Sequence, residues 1–164
     1  MTGVSAAAAV RALAGRRETL AVAESLTGGL LAATIVEIPG VSAVFRGGLV
    51  VYATDLKHAL AGVPEALLAD RGPVDPDVAR ALAEGARSRC AADWGLATTG
   101  VAGPEPQGGR PVGLVYIAVA GPGRAVVREL RLSGSRDDVR TETVNSVLSL
   151  LVDEIAGSGG GMPG

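Results

Sequence analysis

The 164-residue chain is near the ~100–150 residues commonest for one domain, and 48% hydrophobic against 20% charged residues excludes a disordered or collagen-like polymer. Seventeen acidic and fifteen basic residues give a net charge of −2, which supplies no positive field for non-specific nucleic-acid binding. The aromatic residues are only Phe45, Tyr52, Trp94 and Tyr116, too few for a base-stacking platform, and the lone Cys90 can form neither an internal disulfide nor a cysteine-based zinc site.

Residues 5–13 read as a helix that Gly15 would stop. Its Ala-rich run is interrupted by Arg11 and followed by Arg16 and Arg17, the reverse of a signal peptide, and no run approaches the ~20 apolar residues of a membrane span. A cytoplasmic protein without membrane contact is therefore expected. Residues 19–23 form a short apolar run suited to a buried strand. After the turn Glu24-Ser25-Leu26-Thr27-Gly28-Gly29, Leu30, Leu31, Thr34 and Ile35 mark a helix that ends at Pro39-Gly40. Residues 49–53 repeat the pattern as a second strand, followed by a short helix carrying Leu56 and Leu60. Pro64 suits the first position of another short helix, and Asp75-Pro76 opens a longer one with Val78, Leu82, Ala86 and Cys90 on its inner stripe.

A third strand over 96–99 leads into a Gly/Pro-rich loop at 100–111, and residues 112–120 and 125–132 make a hairpin around Gly121-Pro122-Gly123. The last helix starts from the cap Ser135, with Asp138 three residues later, and docks through Val144, Val147, Leu148, Leu151 and Ile155. Residues 1–156 read as a single domain and 157–164 as a Gly-rich, disordered tail. Alternating helices and strands predict a three-layer α/β/α domain whose mixed sheet is mainly parallel, with an antiparallel hairpin at one side. Such sheets bind ligands at the carboxyl ends of their strands, so the loops after the three parallel strands should open on one rim.

Familiar catalytic signatures are absent: there is no P-loop, no Gly-x-Ser-x-Gly elbow, and His58 is the only histidine. Of the fifteen basic residues fourteen are arginine, which leaves Lys57 as the one side chain of its kind able to lose a proton. A desolvated lysine amine can accept the proton of a serine hydroxyl, and Ser25 is the candidate hydroxyl. The amides of Thr27, Gly28 and Gly29, at a helix start, are placed to face a developing oxyanion. Tyr52, five residues before Lys57, could relay protons or fix the amine, and Thr54 in Thr54-x-x-Lys57 is a rival nucleophile. Thr99, Gly100 and Gly103 follow the third strand onto the same rim. Arg136 and Arg140 lie on one helical stripe and suit either a phosphate or a local acid such as Asp137 or Glu142. The blander alternative for the Ser25 turn is a helix cap, and for Lys57 a solvated surface residue.

Taken together, Ala23-Glu24-Ser25-Leu26-Thr27-Gly28-Gly29, Val51-Tyr52 through Lys57, Thr99-Gly100-Val101-Ala102-Gly103-Pro104, Pro111-Val112-Gly113 and the segment from Gly134 to Arg140 resemble the C-terminal domain family of the competence-damage protein CinA. The resemblance spans roughly residues 5–156 in unbroken order. It implies deamidation of nicotinamide mononucleotide to nicotinic acid mononucleotide and ammonia, with no metal or organic cofactor and with a homo-oligomer, favoured as a dimer. It places the family's serine on Ser25, its tyrosine and lysine on Tyr52 and Lys57, its hydroxyl residue on Thr99, and its arginine motif on Arg136 and Arg140. Leu26 stands where a cysteine is common, which points away from cysteine as nucleophile. The resemblance does not extend to the N-terminal domain of full-length CinA proteins, so no pyrophosphatase activity is carried over. The expectation from another class is a noncatalytic nucleotide-sensing or protein-interaction module linked to competence or DNA repair.

Overall fold

Successive strand residues face opposite sides of a sheet, and this chain's strands place large aliphatic side chains on one side and mostly alanine on the other. The computed structural model describes residues 2–159. In chain order these form α1 (Thr2–Arg16), β1 (Leu20–Glu24), α2 (Leu30–Val36), a 3₁₀ turn (Val41–Ala43), β2 (Phe45–Val50), α3 (Thr54–Ala59), α4 (Glu65–Arg71), α5 (Pro76–Cys90), β3 (Trp94–Gly100), β4 (Leu114–Ala120), β5 (Ala125–Arg131) and α6 (Arg136–Ser158). The strands make one sheet in the order β2-β1-β3-β4-β5. The pairs of β1 with β2 and β3 are parallel, whereas β3 with β4 and β4 with β5 are antiparallel, so only β4 runs against the others. The three-layer mixed architecture expected from the sequence is the one observed.

On one face Leu20, Val22, Leu96, Val115, Ile117 and Val119 pack against α1, α2 and α6. On the other, Ala21, Ala23, Ala97, Ala118 and Ala120 meet α5 through Val78, Leu82 and Ala86. The small residues let α5 approach closely: a Cβ built on Gly95 would lie 2.1 Å from the Ala83 carbonyl oxygen. Asp75 caps α5 by accepting from the Asp77 and Val78 amides. Ser135 and Asp138 form the expected reciprocal cap on α6.

The connection leaving β1 runs through α2 to β2, while the chain leaving β3 turns the other way to β4. The crevice between the carboxyl ends of β1 and β3 is thus a topological switch point, where open α/β sheets bind their ligands.

Several boundaries differ from expectation. The second strand begins at Phe45 and ends at Val50, ahead of the expected 49–53. Gly47 and Gly48 conceal it, because glycine ordinarily weakens a strand. Here a Cβ on Gly48 would lie 2.6 Å from Val22 Cγ2, so the strand needs the missing side chain. Gly15 lies inside α1 and does not stop it; the left-handed turn falls on Arg17, at φ 55°. Pro64 precedes α4 as its cap residue. The last helix continues through Ser158, where Arg16 Nη1 donates to Ser158 Oγ and the Ile155 carbonyl, so residues 157 and 158 belong to it. Gly159 is the helix's C-cap, and the rest of the expected tail, 160–164, lies outside the described residues. Among the described residues no helix is long and apolar enough to cross a membrane.

Candidate active site

Strand β2 ends where its carbonyls leave the ladder and turn to a side chain. Val51 still donates its amide to the Glu24 carbonyl at 2.8 Å, but the carbonyls of Val51 and Tyr52 both accept from Lys57 Nζ, at 2.8 and 3.2 Å. The short helix α3 brings Lys57 back beneath that strand end, and its third contact is Ser25 Oγ at 2.9 Å. Lys57 is 1% exposed and Ser25 8%. None of the ion pairs among the described residues includes Lys57. Burial without a counter-ion lowers its pKa from 10.5 to about 8.

The three acceptors suit both protonation states. An ammonium donates three hydrogen bonds, to Val51, Tyr52 and Ser25. A neutral amine keeps its two donors on the carbonyls and turns its lone pair to the Ser25 hydroxyl, the arrangement of a nucleophile with its base.

Ser25 is fixed in turn. Its amide donates to the Thr98 carbonyl at 3.0 Å, which extends the β1–β3 ladder by one residue, and lies 3.3 Å from Thr98 Oγ1. Its carbonyl accepts from the Gly28 amide at 3.0 Å, closing a turn that Gly28 and Gly29 complete at φ 55° and 103°. These two left-handed positions explain the glycine pair. Glu24, fully buried, accepts from the amides of Gly29, Leu31 and Ala32 at 3.2, 2.9 and 3.0 Å, so the start of α2 is neutralised by the chain's own carboxylate.

That arrangement corrects one expectation. The Gly28 and Gly29 amides are engaged by the Ser25 carbonyl and by Glu24, so they do not face an oxyanion. Among the described residues the amides of Leu26 and Thr27 have no protein acceptor; Thr27 is fully buried, whereas Leu26 lines the cavity, so the Leu26 amide is the donor left beside Ser25. The Thr27 hydroxyl is buried against Thr98 Oγ1 at 2.8 Å.

Ser25, Leu26, Tyr52, Thr54, Lys57, Thr99, Gly100, Gly103 and Arg136 surround a cavity of about 80 Å³, so the three loops do share one rim. Thr99 Oγ1 donates to the Pro73 carbonyl at 2.6 Å, tying β3 to the start of the α5 segment. Tyr52 is 60% exposed; it fixes Lys57 through its main-chain carbonyl, while its phenol oxygen accepts from Arg136 Nη2 at 3.1 Å. Arg136 also donates to the Gly103 carbonyl and so bridges the loops that follow β2 and β3. Arg140 does not reach the cavity: its Nε and Nη2 donate to the Leu26 and Thr27 carbonyls at 3.0 and 2.9 Å.

Sequence reasoning assigned no role to Glu24 or Thr98, nor to Glu105 and Gln107, which also line the cavity. An acid just before a Ser-x-x-Gly-Gly helix start was the available signal for Glu24. His58 Nδ1 pairs with the Val63 carbonyl at 2.8 Å, and no group of three or more metal-type ligands occurs among the described residues.

A sequence profile of the CinA C-terminal domain matches residues 4–155. The chain belongs to the CinA C-terminal domain family. A CinA-like protein of Frankia casuarinae is 53% identical over 145 residues, covering 88% of this chain and 34% of the relative. A CinA-like protein of Gloeobacter violaceus is 51% identical over 159 residues, covering 94% and 36%. The chain thus spans about a third of the length of these curated relatives. Among solved structures, a CinA superfamily protein from Klebsiella pneumoniae superposes with a TM-score of 0.92 at 28% identity, covering 96% of this chain and 99% of that one. The competence/damage inducible protein CihA from Agrobacterium tumefaciens gives 0.89 at 33% identity, covering 93% and 94%.

The lowered pKa of Lys57 makes stability rise with pH. Below pH 8 both folded and unfolded chains hold the proton, and the folded state bears the cost of a buried ammonium. Between 8 and 10.5 the folded state releases the proton that the unfolded chain keeps. Denaturant titrations from pH 7.5 to 9.5 should therefore show wild type gaining about 2 kcal/mol relative to Lys57→Gln. Parallel curves for the two proteins would mean that Lys57 titrates normally.

Proposed function

We propose that this domain is an amidohydrolase that converts nicotinamide mononucleotide to nicotinic acid mononucleotide and ammonia, in recycling of the pyridine nucleotide. The observation that carries the catalytic part is the 2.9 Å contact between Ser25 Oγ and a buried lysine amine with no carboxylate partner. A binding module has no need of such a pair. The substrate assignment rests on the family resemblance, and the shape of the site supports it. Arg136 lines the same cavity as Ser25 and Lys57, so a carboxamide placed at Ser25 would leave ribose and phosphate toward the rim where Arg136 stands.

In this scheme neutral Lys57 Nζ takes the Ser25 proton as Oγ attacks the carboxamide carbon. The tetrahedral oxyanion lies against the Leu26 amide, on a residue that lines the cavity beside Ser25. Collapse breaks the C–N bond, and the Lys57 ammonium gives its proton to the leaving nitrogen, releasing ammonia. Water then attacks the Ser25 ester with Lys57 again as base. The Lys57 proton returns to Ser25 Oγ, and nicotinic acid mononucleotide leaves, its carboxyl proton passing to solvent or to the released ammonia.

Ser25→Ala should abolish ammonia release from nicotinamide mononucleotide with the fold intact; turnover like that of wild type would move the nucleophile to Thr54 or to water. Lys57→Arg keeps the charge but cannot accept a proton near neutrality, so kcat should collapse while nucleotide binding persists. Substantial activity in that variant would defeat the Ser25/Lys57 mechanism. Arg136→Ala should raise KM for the nucleotide by about tenfold or more, the equivalent of one charged hydrogen bond, and leave nicotinamide riboside little affected. Equal effects on both compounds would remove Arg136 from phosphate recognition.

A further inference from the structure

Arg140 lies on α6, 113 and 114 residues from the carbonyls it grips, yet both belong to the two residues that follow Ser25. A guanidinium fork is suited to this, since its planar donors meet two neighbouring acceptors at once. Nε and Nη2 are engaged by Leu26 and Thr27, and Nη1 stands 3.9 Å from the Asp137 carboxylate. The side chain is 28% exposed and forms no part of the cavity wall.

The consequence follows from peptide planarity. In a trans peptide the carbonyl and the following N–H point in opposite directions. Holding the Leu26 carbonyl toward α6 turns the N–H of the fully buried Thr27 away from α6. Holding the Thr27 carbonyl likewise turns the Gly28 N–H the other way, where it donates to the Ser25 carbonyl at 3.0 Å. One side chain therefore holds two consecutive peptide planes, the first alone and the second together with the Leu30 amide, which donates to the same Thr27 carbonyl at 2.9 Å. The second closes the turn that presents the nucleophile: its Gly28 N–H holds the Ser25 carbonyl, which points the N–H of the cavity-lining Leu26 the opposite way. Glu24 holds the amides of Gly29, Leu31 and Ala32 at the far end of the same turn.

We propose that Arg140 is a positioning residue: it orients the peptide planes after Ser25 so that the turn presents the hydroxyl and an amide donor together, and it is not a ligand of the substrate phosphate. This rests on the amidohydrolase scheme for its kinetic consequence but not for its structural one.

The experiment uses the full chain with Arg140→Ala and Arg140→Lys. Ammonia release is followed on nicotinamide mononucleotide and on nicotinamide riboside, and hydrogen exchange is followed in the peptide covering residues 26–29. For Arg140→Ala, kcat/KM should fall by about tenfold or more, by the same factor on nucleotide and nucleoside, with the change in kcat and not in KM. Amides at 26–29 should exchange faster while α6 keeps its protection, and added guanidinium ion should restore part of kcat. Arg140→Lys, with one charge but no fork, should fall between wild type and Arg140→Ala; it also serves if the alanine variant does not fold. A loss confined to the phosphorylated substrate and expressed in KM would overturn the proposal in favour of a phosphate ligand, and unchanged kcat would overturn it outright. If wild type releases no ammonia from either compound, the reaction scheme fails and exchange at 26–29 decides the clamp: faster exchange supports it, unchanged exchange refutes it.

Discussion

A lysine amine buried without a carboxylate to neutralise it is the constraint around which the carboxyl end of the sheet is arranged. Removing an ammonium from water is costly, and an unpaired one relieves the cost by lowering its pKa or by collecting every neutral acceptor within reach. Lys57 does both. Past Val50 only the Val51 amide still pairs with β1, so that the carbonyls of Val51 and Tyr52 are free for its Nζ, and the nucleophile turn supplies the third partner through Ser25. A carboxylate in any of these places would return the amine to its ordinary pKa and end its use as a base at neutral pH.

The remaining charged groups near the turn support this arrangement from outside the cavity. Glu24 holds three amides of the α2 start, Arg140 two carbonyls after Ser25, and Thr98 bonds both Ser25 and Thr27. Each group holds backbone, and two peptide planes, two left-handed glycines and a strand end meet within six residues. Arg136 stands apart from these, at the rim between Tyr52 and the Gly103 carbonyl, where part of its guanidinium faces outward. The two arginines, one helical turn apart on α6, therefore serve different parts of the site.

Much of this was legible in the chain. Apolar runs and their spacing carry the layer order, and fourteen arginines against one lysine single out Lys57. Convergence of three loops on one rim follows from the general placement of ligands in such sheets. What the pattern could not supply was the direction of individual hydrogen bonds. Glycine-glycine before a helix reads as an anion site, yet whether a ligand or the chain's own acid occupies it depends on the χ angles of Glu24. Arg136 and Arg140 share a stripe and read alike; one turn of helix separates a group at the rim from one behind the nucleophile. Strand β2 lies ahead of where the pattern puts it because glycine weakens a strand on average, whereas here Val22 occupies the space that a side chain on Gly48 would need.

The central claim, that Lys57 is a base with its proton loosened by burial, can be measured directly because the chain has a single lysine. Labelling with ε-¹³C lysine gives one side-chain signal, whose chemical shift can be followed from pH 6 to 12. The account predicts a midpoint at about 8 in the folded protein, returning to about 10.5 when the chain is unfolded. A midpoint at 10.5 in the folded state would contradict it, since Ser25 would then face a permanent ammonium and have no base.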